Sequence, residues 1–124
     1  MTGVQTCALP IYGLRRLRTD RHLTRAASVH AAAMIHGGVF SHGRPTLGRV
    51  RAAGFSGHLA AEALAWGCAH GASARAVMAS WLHSSAHRAI VLGRGFRDVG
   101  IGVMPGTPGR VCADGGTWVL EVGG

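Results

Sequence analysis

The chain contains no lysine: all 13 of its basic residues are arginine. Acidic residues are also few, five in 124 positions, and the formal net charge is +8. Such a balance suits anionic partners such as nucleic acid, an anionic membrane or an acidic polymer. Aromatic residues make up only 6% of the chain. A nucleic-acid module needs aromatic side chains interleaved with its basic ones, so no nucleic-acid partner is expected. The arginines are scattered, apart from Arg15, Arg16, Arg18 and Arg21. This matches a composition biased towards Ala, Gly and Arg on a solvated surface. No apolar run is long enough to span a bilayer, because Arg or His interrupts each one. With 124 residues and 48% hydrophobic content, the chain can build one core but not two.

Cysteine is scarce as well, at three residues. Cys7 falls in the string Met1 to Ile11, which resembles the conceptual translation of a sequencing adapter and is set aside. It has neither the basic start nor the apolar core of a signal peptide. The expected domain is therefore residues 12–124, with its native start and any export signal missing. Cys68 and Cys112 remain. They are compatible with one disulfide in an exported protein, or with two free buried thiols. A disulfide requires Cα atoms within about 7 Å.

Leu23, Ala27, His30 and Met34 recur at helical spacing, with Thr19 or Asp20 as cap and Gly37-Gly38 as stop. Thr46 is placed to cap a short helix through Ala53. Ser73 is placed to cap another, with Val77, Met78, Trp81 and Leu82 on its apolar face. Ser84 and Ser85 then read as caps of a further helical turn, with His87 at its corner. Val99, Ile101 and Val103 alternate with Asp98, Gly100 and Gly102, the period of a strand. Trp118, Leu120 and Val122 mark a final strand expected to pair with it in an antiparallel hairpin.

Three polar residues stand out. Glu62 sits in the nearly apolar run Ala60-Ala61-Glu62-Ala63-Leu64-Ala65-Trp66. An acid in such a run is either at an element end on the surface, or buried against a cation or imidazole. His42 follows a Gly-Gly break and the apolar pair Val39-Phe40, so it belongs to a loop anchored by Phe40. His30 lies on the apolar stripe of the first helix.

Taken in order, several segments resemble the CAP superfamily of cysteine-rich secretory, antigen 5 and pathogenesis-related 1 proteins. They are most similar to its small bacterial, SCP-like extracellular members. Phe40-Ser41-His42 looks like the family's "SH" box. Glu62-Ala63 falls at its "GEN", and Trp81 to Arg88 matches "W…S…HR". Val99-Gly100-Ile101-Gly102-Val103 resembles its "VGVG" strand. The resemblance implies an α+β fold, a three-layer α-β-α sandwich around a small, largely antiparallel sheet. It also implies a cleft lined by two histidines and two acids, which fall on His42, His87 and Glu62. The second acid has no match after His42, where the chain reads Gly43-Arg44-Pro45.

Two imidazoles and a carboxylate suffice to hold a divalent metal such as zinc, with His42 and His87 as ligands. Two readings therefore stay open. One is an exported, non-enzymatic binding or cell-envelope protein, expected to be a monomer, with a lipid, sterol or envelope polymer as partner. The other is a metal-dependent, peptidase-like hydrolase using His42, Glu62 and His87.

Overall fold

The computed structural model describes residues 17–124. The expectations for Met1 to Ile11 and for Cys7 lie outside them. A short strand β1 (Arg18–Thr19) leads into helix α1 (Arg21–Gly37). The Asp20 carboxylate accepts hydrogen bonds from the His22 and Leu23 amides and so caps the helix start. Gly38 ends the helix in the left-handed region, returning its amide to the Ile35 carbonyl. Helix α2 (Thr46–Ala52) follows a loop, then strand β2 (Ala60–Cys68). A 3-10 turn (Ala69–Ala72) precedes α3 (Ala74–His83), which Ser73 caps through its hydroxyl. Helix α4 (Ser85–Val91) and strands β3 (Asp98–Pro105) and β4 (Gly115–Gly123) complete the described chain.

The sheet order is β1-β3-β4-β2. β2/β4 and β3/β4 are antiparallel; only the β1/β3 pair is parallel. Side chains alternate between its faces. Ala63, Leu120, Val122 and Val99 pack with Val77 and Trp81 of α3 and Val91 of α4. Leu64 and Val119 point the other way, against Ala27, Ala31 and Met34 of α1. The result is the expected α-β-α sandwich, with α1 and α2 on one face and α3 and α4 on the other. Among the described residues, no helix is long and apolar enough to cross a membrane.

The glycines of β3 explain how closely the layers meet. A Cβ on Gly100 would collide with the backbone of Leu23 and Thr24, and one on Gly102 with that of Ala27 and Ser28. The alternating glycines therefore let α1 lie directly on the strand.

The Ala-rich stretch around Glu62 is the edge strand β2. Three expectations need correction. Thr46 is the first residue of α2 and not its cap: Pro45 stands at the N-cap, and no side chain caps the helix. Helix α4 lacks a side-chain cap: Ser84 stands at its N-cap without a hydrogen bond from its hydroxyl. His87 lies inside that helix rather than at a corner.

Cys68 and Cys112 form a disulfide, with Cα atoms 6.1 Å apart and 44 residues between them in sequence. It ties the end of β2 to the β3–β4 connection. Closing a loop of this length restricts the unfolded chain by about 4 kcal/mol in the chain-entropy model. Replacing both cysteines with alanine is expected to lower unfolding free energy by about 2–4 kcal/mol, read from urea denaturation. Gly100→Ala is expected to cost about 3 kcal/mol or more, because the clash is with backbone that has no rotamer to change.

Candidate functional site

Strand alternation puts Glu62 of β2 and Glu121 of β4 on the α1/α2 face, and they are cross-strand partners. Both side chains are fully buried. A buried carboxylate is costly unless it is paired and hydrogen-bonded. Glu62 receives what it needs from two elements. From α2, Arg49 places Nη2 2.8 Å from both carboxylate oxygens. From the α1–α2 loop, His42 donates from Nδ1 to Oε1 at 2.7 Å. This fixes the proton of a neutral His42 on Nδ1 and leaves Nε2 as the acceptor. The His42 side chain is 57% exposed, so it links the cluster to solvent.

His30, on α1, lies under the same loop. Its Nε2 is 2.9 Å from the Ser41 carbonyl and 3.8 Å from Glu62 Oε1. Because a carbonyl only accepts, Nε2 carries the proton. Burial lowers the His30 pKa against the opposing pull of Glu62, with Arg49 and His42 adding to the lowering. The two histidines thus fasten adjacent loop positions, one by its backbone and the other by its side chain.

Glu121 is placed differently. Its nearest cation is Arg49 Nη1, 3.5 Å from Oε1, and neither of its oxygens meets a donor among the described residues. Burial, and then the adjoining Glu62, push its pKa up to about 10, so it keeps its proton at neutral pH. Burial also opposes the charge of Glu62. The adjoining protonated Glu121, together with His42 and Arg49, outweighs it and holds the Glu62 carboxyl below its usual value. One proton and one guanidinium therefore serve two carboxyls.

Of the residues expected at the site, the structure brings His42 and Glu62 together. His87 is on α4, whose Val91 packs on the opposite face of the sheet. The donor atoms of His42, Glu62 and His87 do not share a position within 4.8 Å of one another. Among the described residues, the one group of three metal-type donors that close is Cys68, Cys112 and Asp114, and its two sulfurs are bonded to each other. Glu62 has both oxygens on Arg49, and His42 has Nδ1 on Glu62. The residues present thus do not fit a resident zinc ion, which needs at least three converging ligands.

Arg49 and Glu121 were not among the residues singled out from sequence. Glu121 was readable in principle, as a charged position alternating with Thr117 and Val119 inside an apolar strand. Arg49 carried no local signal that set it apart from the other arginines.

The profile of the family described as "CAP: Cysteine-rich secretory protein family" matches residues 11–122. No curated protein matches the chain by sequence. Several solved structures share the fold. An outer surface protein from Borrelia burgdorferi superposes with a TM-score of 0.82 at 19% identity, covering 97% of this chain and 85% of that one. An extracellular protein containing a SCP domain from Bacillus anthracis gives 0.76 at 24% identity, covering 97% of this chain and 37% of that one. A cysteine-rich secretory protein from Staphylococcus aureus gives 0.65 at 17%, covering 93% and 34%. The chain thus spans about a third of the length of the last two.

The protonation of Glu121 has a signed consequence. Its folded pKa lies above its unfolded value of 4.5, so between pH 4.5 and about 10 the folded state binds the extra proton. Stability contributed by this group therefore falls as pH rises through that window, by at most about 1.4 kcal/mol per pH unit. Glu121→Gln supplies a permanent N–H donor. It is expected to flatten the profile of unfolding free energy between pH 5 and 9 relative to wild type. Parallel profiles in the two proteins would rule out a protonated Glu121.

Proposed function

Because the chain belongs to the cysteine-rich secretory protein (CAP) family, we propose that it is an exported binding module of the bacterial cell envelope, and that its polar cluster anchors a docking loop. Export is supported by the Cys68–Cys112 disulfide, since such bonds persist in oxidising compartments. It is also in keeping with the fold neighbours, whose descriptions read outer surface, extracellular and secretory.

The observation that carries the reading is the α1–α2 loop. It exposes Val39 and Phe40, both large and apolar, just ahead of Ser41-His42, so Phe40 does not anchor the loop as the sequence led us to expect. His30 holds the Ser41 carbonyl, Glu62 holds the His42 ring, and the Ser41 hydroxyl accepts from the Gly43 amide. An exposed apolar tip is thus fixed in place rather than left to collapse. The β3–β4 connection lies alongside: a Cβ on Gly38 would be 3.9 Å from the Gly109 amide. It adds exposed Val111, next to exposed Arg110. Arg44, also exposed, is two residues after His42. Apolar tips flanked by arginines suit a surface of anionic head groups, where the tips enter the boundary and the guanidiniums meet phosphate. The net charge of +8 favours the same encounter.

Vesicle sedimentation tests this directly. Wild type is expected to bind vesicles containing phosphatidylglycerol, to lose binding as salt rises, and to ignore pure phosphatidylcholine. Phe40→Ser is expected to weaken binding about tenfold without changing the melting temperature. Binding that is equal on both lipids, or unchanged by Phe40→Ser, would remove the loop from the interface.

A further inference from the structure

We infer that Cys68, Cys112 and Asp114 form a metal site that the disulfide masks: once a dithiol has reduced the bond, the two sulfurs and the carboxylate hold a thiophilic divalent cation such as zinc. The inference uses no residue of the polar cluster or of the docking loop.

Three observations support it. Both sulfurs and a carboxylate oxygen of Asp114 lie within 4.8 Å of one another, the one such triad among the described residues. With Zn–S about 2.3 Å and Zn–O about 2.1 Å, the ligand atoms of a tetrahedral site stand roughly 3.6 Å apart, so rotation of the three side chains can form that shell. Second, the backbone that carries them is held together without the S–S bond. Cys68 ends β2 in register with Gly115 of β4, and the Ala69 amide donates to the Asp114 carbonyl at 3.0 Å. In the β3–β4 connection, the amide of Val111, next in sequence to Cys112, donates to the Thr107 hydroxyl at 2.8 Å. Third, the triad is reachable: Cys68 and Cys112 are half-buried and Asp114 is exposed.

The chemistry balances in two steps. A dithiol gives two electrons to the protein disulfide, leaving two protein thiols and the reductant's own cyclic disulfide. The ion then displaces both thiol protons to solvent and takes the thiolates and the Asp114 carboxylate. Three anionic donors that repel one another are thereby drawn together by a divalent charge. Thiolate ligands favour zinc over magnesium or calcium, and three protein ligands leave the fourth position to water. Reducing compartments keep thiols reduced and oxidising ones do not, so bond and ion are alternatives set by the surroundings.

The experiment uses the full chain with Cys7→Ala, so that Cys68 and Cys112 are its only thiols. It is reduced with a phosphine, desalted without oxygen and titrated with cobalt(II), which fills zinc sites and reports thiolate ligands through a charge-transfer band. One equivalent is expected to bind with that band, and zinc is expected to displace it. The oxidised protein should show no band. Cys68→Ser is expected to weaken binding at least about a hundredfold, and Asp114→Asn about tenfold. Asp114→Asn should leave the melting temperature of the oxidised protein unchanged. If reduction alone unfolds the chain, recovery of the native circular dichroism on adding zinc is the expected result.

Absence of the band in the reduced protein would overturn the inference. So would an affinity that Asp114→Asn leaves unchanged, since the ion would then rest on the thiolates alone. A band carried by a chain that stays unfolded with the ion bound would overturn it as well, because the folded backbone would not be what assembles the donors.

Discussion

A charged carboxylate on the inner face of a β-sheet is the constraint from which the rest of this site follows. Glu62 has no water to lean on, so its neighbours must supply both positive charge and directed donors. Arg49 draws α2 against β2, and the His42 ring draws down the α1–α2 loop. Removing one partner of a buried ion pair typically costs about 3–5 kcal/mol, a large share of the roughly 5–15 kcal/mol that keeps a domain folded. The polar cluster and the packing of α2 are therefore a single structural feature. Val50 and Phe55 complete it from the apolar side, against Leu23 and Ala26.

The second acid follows from the same constraint. One guanidinium cannot neutralise two buried carboxylates. The charge settles on Glu62, which has the better donors, and Glu121 keeps a proton. His30 obeys the same rule with the opposite sign: charging it would bury a second cation beside Arg49. Glu62, Glu121 and His30 are thus each held in the state that keeps the buried total near neutral. Such a site is suited to holding geometry. A metal hydrolase needs an open coordination position and a water to activate, and both Glu62 oxygens are already engaged by Arg49 and His42.

Much of the fold was legible from local rules. The cap at Asp20 and the stop at Gly38 bound α1, Ser73 starts α3, and period-two alternation marks β3 and β4. Glu62 stood out because acids are rare in apolar runs. The departures share a cause. Alanine has high helix propensity, so Ala60 to Ala65 gave no strand signal; pairing with β4 decides it, and that is a tertiary fact. Arg49 is one arginine among 13, distinguished only by where α2 is laid. Glu121 could be placed beside Glu62 only once β2 was known to be a strand in register with β4. His87 was transferred by resemblance, and resemblance in sequence does not say which layer of a sandwich a helix joins.

Fixing a loop costs about 1–2 kcal/mol per residue in backbone entropy, and burial of the loop's own side chains normally offsets it. Val39 and Phe40 remain in solvent, so the α1–α2 loop has no such offset. What holds it instead is polar: the Ser41 carbonyl on buried His30 and the His42 ring on buried Glu62, each bond shielded from water on its inner side. The apolar side chains are thereby released from a packing role while their backbone stays ordered. A loop built this way presents hydrophobic surface without further ordering cost on contact, which is the property that raises affinity in a docking element. The buried acid and the exposed Phe40 are accordingly two ends of one arrangement: charge satisfied inside the sheet face sets the shape of the surface outside it.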